Sequence, residues 1–499
     1  MPYFSACLLL VGLAGVCFGA TRAAEPASPD GAGVAERSSV SQYGITWTFD
    51  KPAKTGRFAT GDWWVLGPVT VASIQPAPGP LAAEAKVEIK KGVWGDTSLK
   101  NDMRMRNGSM IVLQCGGKHG YDSRSSTYDP ELSVKLPCAL EPNRSLISTI
   151  SNSAFPVQNF PHKIMWSKEK NAQVALKAAA VLTCLAEEPP ADAFRPPYGG
   201  TEKPLYRAAD LKWDLLLKLQ PAGEVPSWED FEGYFRRPWL DHLTNWTQQE
   251  LNPNENQPCY GREHARLVSM ASLMLQLDAP QERKEKLLIG LVQYGIDLSG
   301  LAKAGGVWNM GGGHSSGRKW PVLFASLMLD APKLRELPES AVFHEDAQTY
   351  YGEGWFGQTA LWQMITHHGP RQPYEEKPPE QWEKWDKTSE GYRCCCNAVA
   401  WAGTALAARQ MKAIGIWKHD AFFDYCDRWM REDDPYAEKR GQHKRPDGET
   451  KTFDPFVDAM WKAYRKEAPE QEFSGVNKKW VWQDGAGSWV DNPRPAETP

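Results

Sequence analysis

The spacing of apolar residues changes once along this chain, from a period of two to a period of about 3.6, and no single layer of secondary structure accommodates both. Before the change, short alternating or wholly apolar runs stand between turn residues. They are ITWTF from Ile45, WWVLGPVTVASI from Trp63, AKVEI from Ala85, SMIVLQ from Ser109, LSVKL from Leu132, SLISTIS from Ser145 and VALKAAAVLTCL from Val174. No helical crossover intervenes, so the runs predict an antiparallel β-sandwich rather than a parallel sheet. The change falls at EEPPADAFRPPYGGTEKP, residues 187–204, whose prolines and glycines read as a linker.

Helical periodicity follows. The candidates are YRAADLKWDLLLKL from Tyr206, GREHARLVSMASLMLQL from Gly261, ERKEKLLIGLVQYGIDLSGLAKA from Glu282, GRKWPVLFASLML from Gly317, TYYGEGWFGQTALWQMITHH from Thr349, YRCCCNAVAWAGTALAARQMKAI from Tyr392 and HDAFFDYCDRWMRE from His419. They are apolar over much of their circumference and carry small residues such as Gly295, Gly357 and Gly403. Helices of that kind pack against two neighbours, as in a ring of helical hairpins. The expected fold is therefore a multidomain α+β chain, an N-terminal antiparallel β-sandwich followed by an all-α, (α/α)-toroid-like domain.

At 499 residues the chain is too long for one compact core. The expected divisions are a signal peptide (1–24), a flexible leader (25–40), the β-sandwich (41–186), the linker (187–204), the helical domain (205–468) and an irregular tail (469–499). The run from Ala6 to Ala20 is apolar but too short to span a bilayer, and it reads as a secretory signal. A secreted or periplasmic protein without membrane insertion is expected. The net charge of -4, from 57 basic and 61 acidic residues, argues against nucleic acid as a partner. Cys115 and Cys138 are placed to bridge two strands. Cys394, Cys395 and Cys396 are consecutive, so they cannot all pair with one another and lack zinc-knuckle spacing; a buried apolar role or one structural disulfide is expected.

The densest local signal is GGVWNMGGGHSSGRKWP, Gly305 to Pro321, which sets His314 between glycines and the cations Arg318 and Lys319 just before a helix. Such a loop lets backbone approach a ligand, and a helix start offers N–H donors to an anion. It comes near a phosphate-binding loop, but Arg318 and Lys319 stand where lysine and Ser/Thr belong. An ordinary glycine-rich turn with solvated cations remains the plain alternative. In CYGREHARL, Arg262 and Arg266 lie one turn apart, with Tyr260 and His264 on another face. His264 reads as a core histidine, and the arginines either grip a carboxylate or pair with acidic neighbours. In SEGYRCCCNAVAW, Tyr392, Arg393 and Asn397 open an apolar helix, as a cavity rim or as caps. The 22 tryptophans suit a core and equally suit stacking on sugars, with Trp308 and Trp355 as candidates.

The β half, carrying GDWWVLGPV and GYDSR, and the helical half, carrying GGGHSSGRK and HEDAQTYY, together resemble a group of uncharacterised exported bacterial proteins. In general layout the helical part also resembles the α/α-toroid polysaccharide lyases. With that layout, the Arg, His, Tyr and Asn of loops that could converge on one cavity point to β-elimination on an acidic polysaccharide containing uronate. The chemistry needs a neutralised carboxylate, a base near neutral pKa and an acid for the leaving oxygen. The expected catalytic residues are Arg318 or Asn397 for neutralisation, His314 as base, and Tyr392 or Tyr260 as acid, with Arg262, Arg266, Lys319, Arg393, Trp308 and Trp355 binding substrate. No cofactor and no metal is required. Two alternatives stand beside this one: a glycoside hydrolase using two of Glu345, Asp346, Glu353, Asp433 and Asp434, whose carboxyls must lie roughly 5–9.5 Å apart, and a non-catalytic glycan-binding or surface protein.

Overall fold

The computed structural model describes residues 33–80, 106–123, 125, 127–152, 175–244, 248, 250–309, 311–365, 373–431, 451–470, 472–483 and 486–495. The expected signal, the run from Ala85, Asp433 and Asp434 lie outside them.

Nine strands form the β half: β1 (Ala35–Gln42), β2 (Ile45–Arg57), β3 (Trp63–Leu66), β4 (Val69–Gln75), β5 (Gly79–Pro80), β6 (Arg106–Ile111), β7 (Cys138–Leu140), β8 (Arg144–Ser151) and β9 (Leu176–Leu185). They join into one sheet of order β5-β6-β8-β9-β3-β2-β4-β7, with β1 added to β2. Every pair is antiparallel except β3 with β9, where Val65 faces Cys184. The sheet curls until non-neighbouring strands meet: Trp47 Nε1 of β2 donates to Ser148 Oγ of β8 at 2.9 Å. The side chains turned inside by the two-residue period, among them Val40, Trp47, Trp63, Val65, Leu146 and Leu182, make a core of their own. Where two stacked sheets were expected, the strands are continuous as one curled sheet. The expected leader ends inside β1, and LSVKL begins on a single 3₁₀ turn, Pro130–Leu132, capped by Asp129.

The helical half holds α1 (Trp228–Phe235), α2 (Gly261–Leu275), α3 (Gln281–Lys303), α4 (Lys319–Met328), α5 (His344–Gln348), α6 (Lys384–Tyr392), α7 (Ala402–Gln410), α8 (Ile414–Trp417), α9 (Asp420–Arg431) and α10 (Pro455–Tyr464). Four expected helices, from Gly261, Glu282, Gly317 and His419, are present as α2, α3, α4 and α9. Close approach depends on the small residues: a Cβ on Gly295 of α3 would sit 2.0 Å from Pro321 O of α4. Helix α6 starts on a capping box between Glu383 and Asp386.

Three expected helices differ, each because tertiary partners take the backbone groups. From Tyr206 the chain makes only short 3₁₀ turns. Lys212 N–H donates to Met328 O, and Leu217 N–H to Gln276 Oε1, so this strap is satisfied by the ends of α4 and α2. From Thr349 the chain forms a hairpin, β10 (Thr349–Tyr351) with β11 (Ala360–Trp362). Its β-branched and aromatic residues favour strands, and Gly357 adopts a positive φ in the turn. From Tyr392 the helix is interrupted by a π-turn, Arg393–Asn397, and a 3₁₀ turn before α7 begins. The tail is not wholly irregular, since β12 (Lys478–Gln483) pairs with β13 (Ala486–Asp491).

The expected linker is the buried seam between the halves. Ala193, Phe194, Arg195 and Tyr198 are fully buried. Arg195 donates to Asp62 Oδ2 of the sheet half at 2.7 Å and to both oxygens of Asp297 in α3 at 2.9 and 2.6 Å. One hydrophobic core runs from Met110, Ile147 and Leu176 of the sheet to Leu267, Leu291 and Trp401 of the helices. Cys115 and Cys138 are both free thiols, a correction to the expected bridge, and the structure pairs Cys395 with Cys396 instead. Among the described residues no helix is long and apolar enough to cross a membrane.

Candidate functional site

The glycine loop 311–317 threads between the start of α2 and the π-turn, backbone against backbone. A Cβ on Gly261 would meet His314 O at 2.1 Å, and one on Gly313, whose φ is +84°, would meet Cys396 O at 2.3 Å. Only glycine allows both approaches. Arg318 ties the loop from behind: its guanidinium is fully buried and donates to His314 O at 3.2 Å, Ser316 O at 2.6 Å and Asp241 Oδ1 at 2.9 Å. Tyr294 donates to the other Asp241 oxygen at 2.7 Å. Burial opposes the charge of Arg318, but the Asp241 carboxylate overrides it and holds the guanidinium above its ordinary pKa.

Held in this way, the His314 ring packs against that of Tyr260, the N-cap residue of α2, edge to face with centroids 4.7 Å apart. Tyr392, the last residue of α6, borders the loop, so near that a Cβ on Gly312 would lie 3.0 Å from its ring. Tyr260 packs with Cys395 and Cys396, and half-buried Cys259 and Tyr392 border them. Burial pushes the Tyr260 phenol far above its ordinary pKa and raises that of Tyr392. Both phenols therefore carry their protons through the neutral range and are proton donors.

Helix α5, spelled HEDAQ, supports the loop from inside. Asn397 Nδ2 donates to Tyr392 O at 2.9 Å, which turns its Oδ1 to His344 Nε2 at 2.7 Å. That geometry assigns the proton to Nε2 of His344. Glu345 Oε1 accepts from Gly317 N–H at 2.5 Å, whereas its Oε2 is buried without a hydrogen-bond partner. Burial pushes the Glu345 carboxyl up to about 7. Asp346 accepts from Trp417 Nε1 at 2.9 Å and pairs with Lys319. The protein thus supplies its own carboxyls to the loop N–H and the cations that the sequence offered to an external anion.

The structure brings His314, Tyr260 and Tyr392 together. Asn397 stands directly behind them, bonded to Tyr392 and His344, and Arg318 faces Asp241 rather than the ring cluster. Arg262 borders the cluster: it donates to Cys395 O at 2.7 Å, pairs with Glu263 and lies 5.8 Å from the Tyr260 ring. Arg266 pairs with Asp454 and Glu263. Arg393 grips Glu390 through two bonds and covers the Trp429 ring at 5.2 Å. Trp308 is fully buried and stacked on Phe343, while Trp355 is 53% exposed at the hairpin tip beyond β10. His264 is the core histidine that its stripe predicts, bonded to Pro258 O at 2.6 Å and packed on Trp239.

Sequence reasoning did not single out His344 or Asp241. The signal that marks His344 is the polar run His344, Glu345 and Asp346 set between Phe343 and the aromatic pair Tyr350 and Tyr351. Nothing local marks Asp241. Of the carboxylates weighed for hydrolysis, Glu345 and Asp346 face the interior and Glu353 is exposed. Among the described residues no group of three or more His, Cys, Asp or Glu is placed to hold a metal ion. Compared with family models, curated proteins and solved structures, the chain matches none.

Proposed function

We propose that this protein cleaves a uronate-containing acidic glycan by β-elimination, with His314 as the base and Tyr260 or Tyr392 as the acid. The observation that supports the reading most is the contact of the His314 imidazole with the Tyr260 ring, with Tyr392 packed beside Gly312 of the same loop. Elimination needs one group to take the proton beside the carboxylate and another to give a proton to the leaving oxygen. The His314 imidazole packed on one protonated phenol, with a second bordering the same cluster, supports both roles. Arg318, Asn397 and Arg262 are already bonded to Asp241, His344 and Glu263, so neutralising a substrate carboxylate with any of them requires exchange of that partner, and Arg262 is the one on the cluster's edge. Export from the cell, a toroidal arrangement of the helices and sugar stacking on Trp355 belong to this same proposal.

Incubation with a panel of polyuronides should release unsaturated, ultraviolet-absorbing ends. His314→Ala should lower that rate roughly 10²–10⁴-fold, the usual contribution of a positioned base. Absence of absorbing product from every acidic glycan would end the elimination reading, and reducing ends released without unsaturation would replace it with hydrolysis.

A further inference from the structure

A cavity of about 450 Å³ opens where the turn Ala59–Asp62 of the sheet half meets α1 and α3, away from the His314 cluster. Its volume falls in the range, roughly 300–1,000 Å³, of small-molecule sites. The apolar part of the wall is contributed by Phe235, Pro238, Trp239 and Ile289.

Two polar features in it lack partners. Gln293, 6% exposed, donates from Nε2 to Arg195 O at 2.9 Å. That bond fixes the amide, because the flipped form would set two carbonyl oxygens against each other. Gln293 Oε1 is left buried without a hydrogen-bond donor. At the mouth, Arg236 and Lys286 are exposed and form no ion pair among the described residues. Of their neighbours, Arg237 is paired with Glu255, and Arg283 is shared by Glu229 and Glu232, two carboxylates that also line the cavity. On the floor, Arg195 is matched by Asp62 and Asp297. What remains among the described residues is an apolar wall, one buried acceptor and two unpaired cations, Arg236 and Lys286, on a rim that also holds Glu229 and Glu232.

We propose that this cavity binds a uronic-acid unit. The C–H face of the pyranose lies on Phe235 and Ile289, a hydroxyl donates to Gln293 Oε1, and the carboxylate sits between Arg236 and Lys286. A fatty acid would meet the wall and the rim but leave the buried acceptor unsatisfied, which costs free energy. A neutral sugar would leave the rim cations unmatched. Both the free acid and the acidic end of a glycan carry this chemistry.

Calorimetric titration of the full chain tests the proposal, with D-galacturonate, its methyl ester and a galacturonate oligomer as probes. Saturable binding of galacturonate is expected, with the ester weaker because it has lost the charge. The oligomer binding more tightly than the monosaccharide would identify a glycan end as the occupant; equal affinity would identify the free acid. Arg236→Ala/Lys286→Ala, at exposed positions that folding does not need, should weaken galacturonate at least roughly tenfold, as expected for lost charge-assisted hydrogen bonds. Ile289→Trp, which fills the mouth, should abolish binding. His314→Ala should bind as the parent does, so this cavity is tested separately from the elimination chemistry. No saturable binding of galacturonate or its oligomer, equal binding of the ester, or unchanged affinity in both cavity variants would overturn the proposal.

Discussion

Glu345→Gln isolates the most sharply perturbed carboxyl near the loop. The glutamine keeps the shape and retains an oxygen to accept from Gly317 N–H, but it cannot ionise. In the folded chain burial pushes the Glu345 carboxyl up to about 7, from an ordinary value of 4.5. The folded state therefore holds a proton that the unfolded chain has released over that interval. A group raised in this direction gives its full stability below the ordinary value and loses it as pH rises through about 7. At about 1.36 kcal/mol for each pH unit of difference, the loss is about 3 kcal/mol. Urea denaturation from pH 4.5 to 9 should show the parent losing stability relative to Glu345→Gln across this interval, with the gap levelling off above pH 8. The new amide N–H₂ adds a constant offset because it does not titrate, so the slope carries the information. A difference between the two proteins that is flat with pH, or that moves in the parent's favour as pH rises, would refute the reasoning.

Arg318→Met should destabilise the fold by roughly 3–5 kcal/mol in the same assay, because it leaves the buried Asp241 carboxylate uncompensated. Arg318→Met/Asp241→Leu should recover a large part of that loss, and failure to recover would mean that the bonds from Arg318 to the loop carbonyls matter more than the ion pair. Gly313→Ala should lower the thermal midpoint and disorder the loop, since its Cβ would meet Cys396 O at 2.3 Å on a positive-φ backbone; an unchanged midpoint would show that the π-turn yields.

The hydrophobic period alone set the order of strands and helices, because side-chain alternation and the helical repeat are local properties of the chain. It placed α2, α3, α4 and α9, and most of the strands. The glycines and imidazole of the loop were legible for the same reason, since glycine density marks where backbone must come close. Tertiary structure decided the rest. The strap from Tyr206 and the hairpin from Thr349 have helix-like apolar spacing, but their N–H and C=O groups find partners on α2, α4 and each other. The proline-rich stretch 187–204 reads as a linker, and tertiary structure makes it a buried seam in which Arg195 pairs with Asp62 and Asp297. Arg318 was visible as a cation beside the loop. That it faces Asp241, distant in sequence, depends on long-range packing, because the partner of a buried charge is chosen by which carboxylate the fold brings within hydrogen-bonding distance.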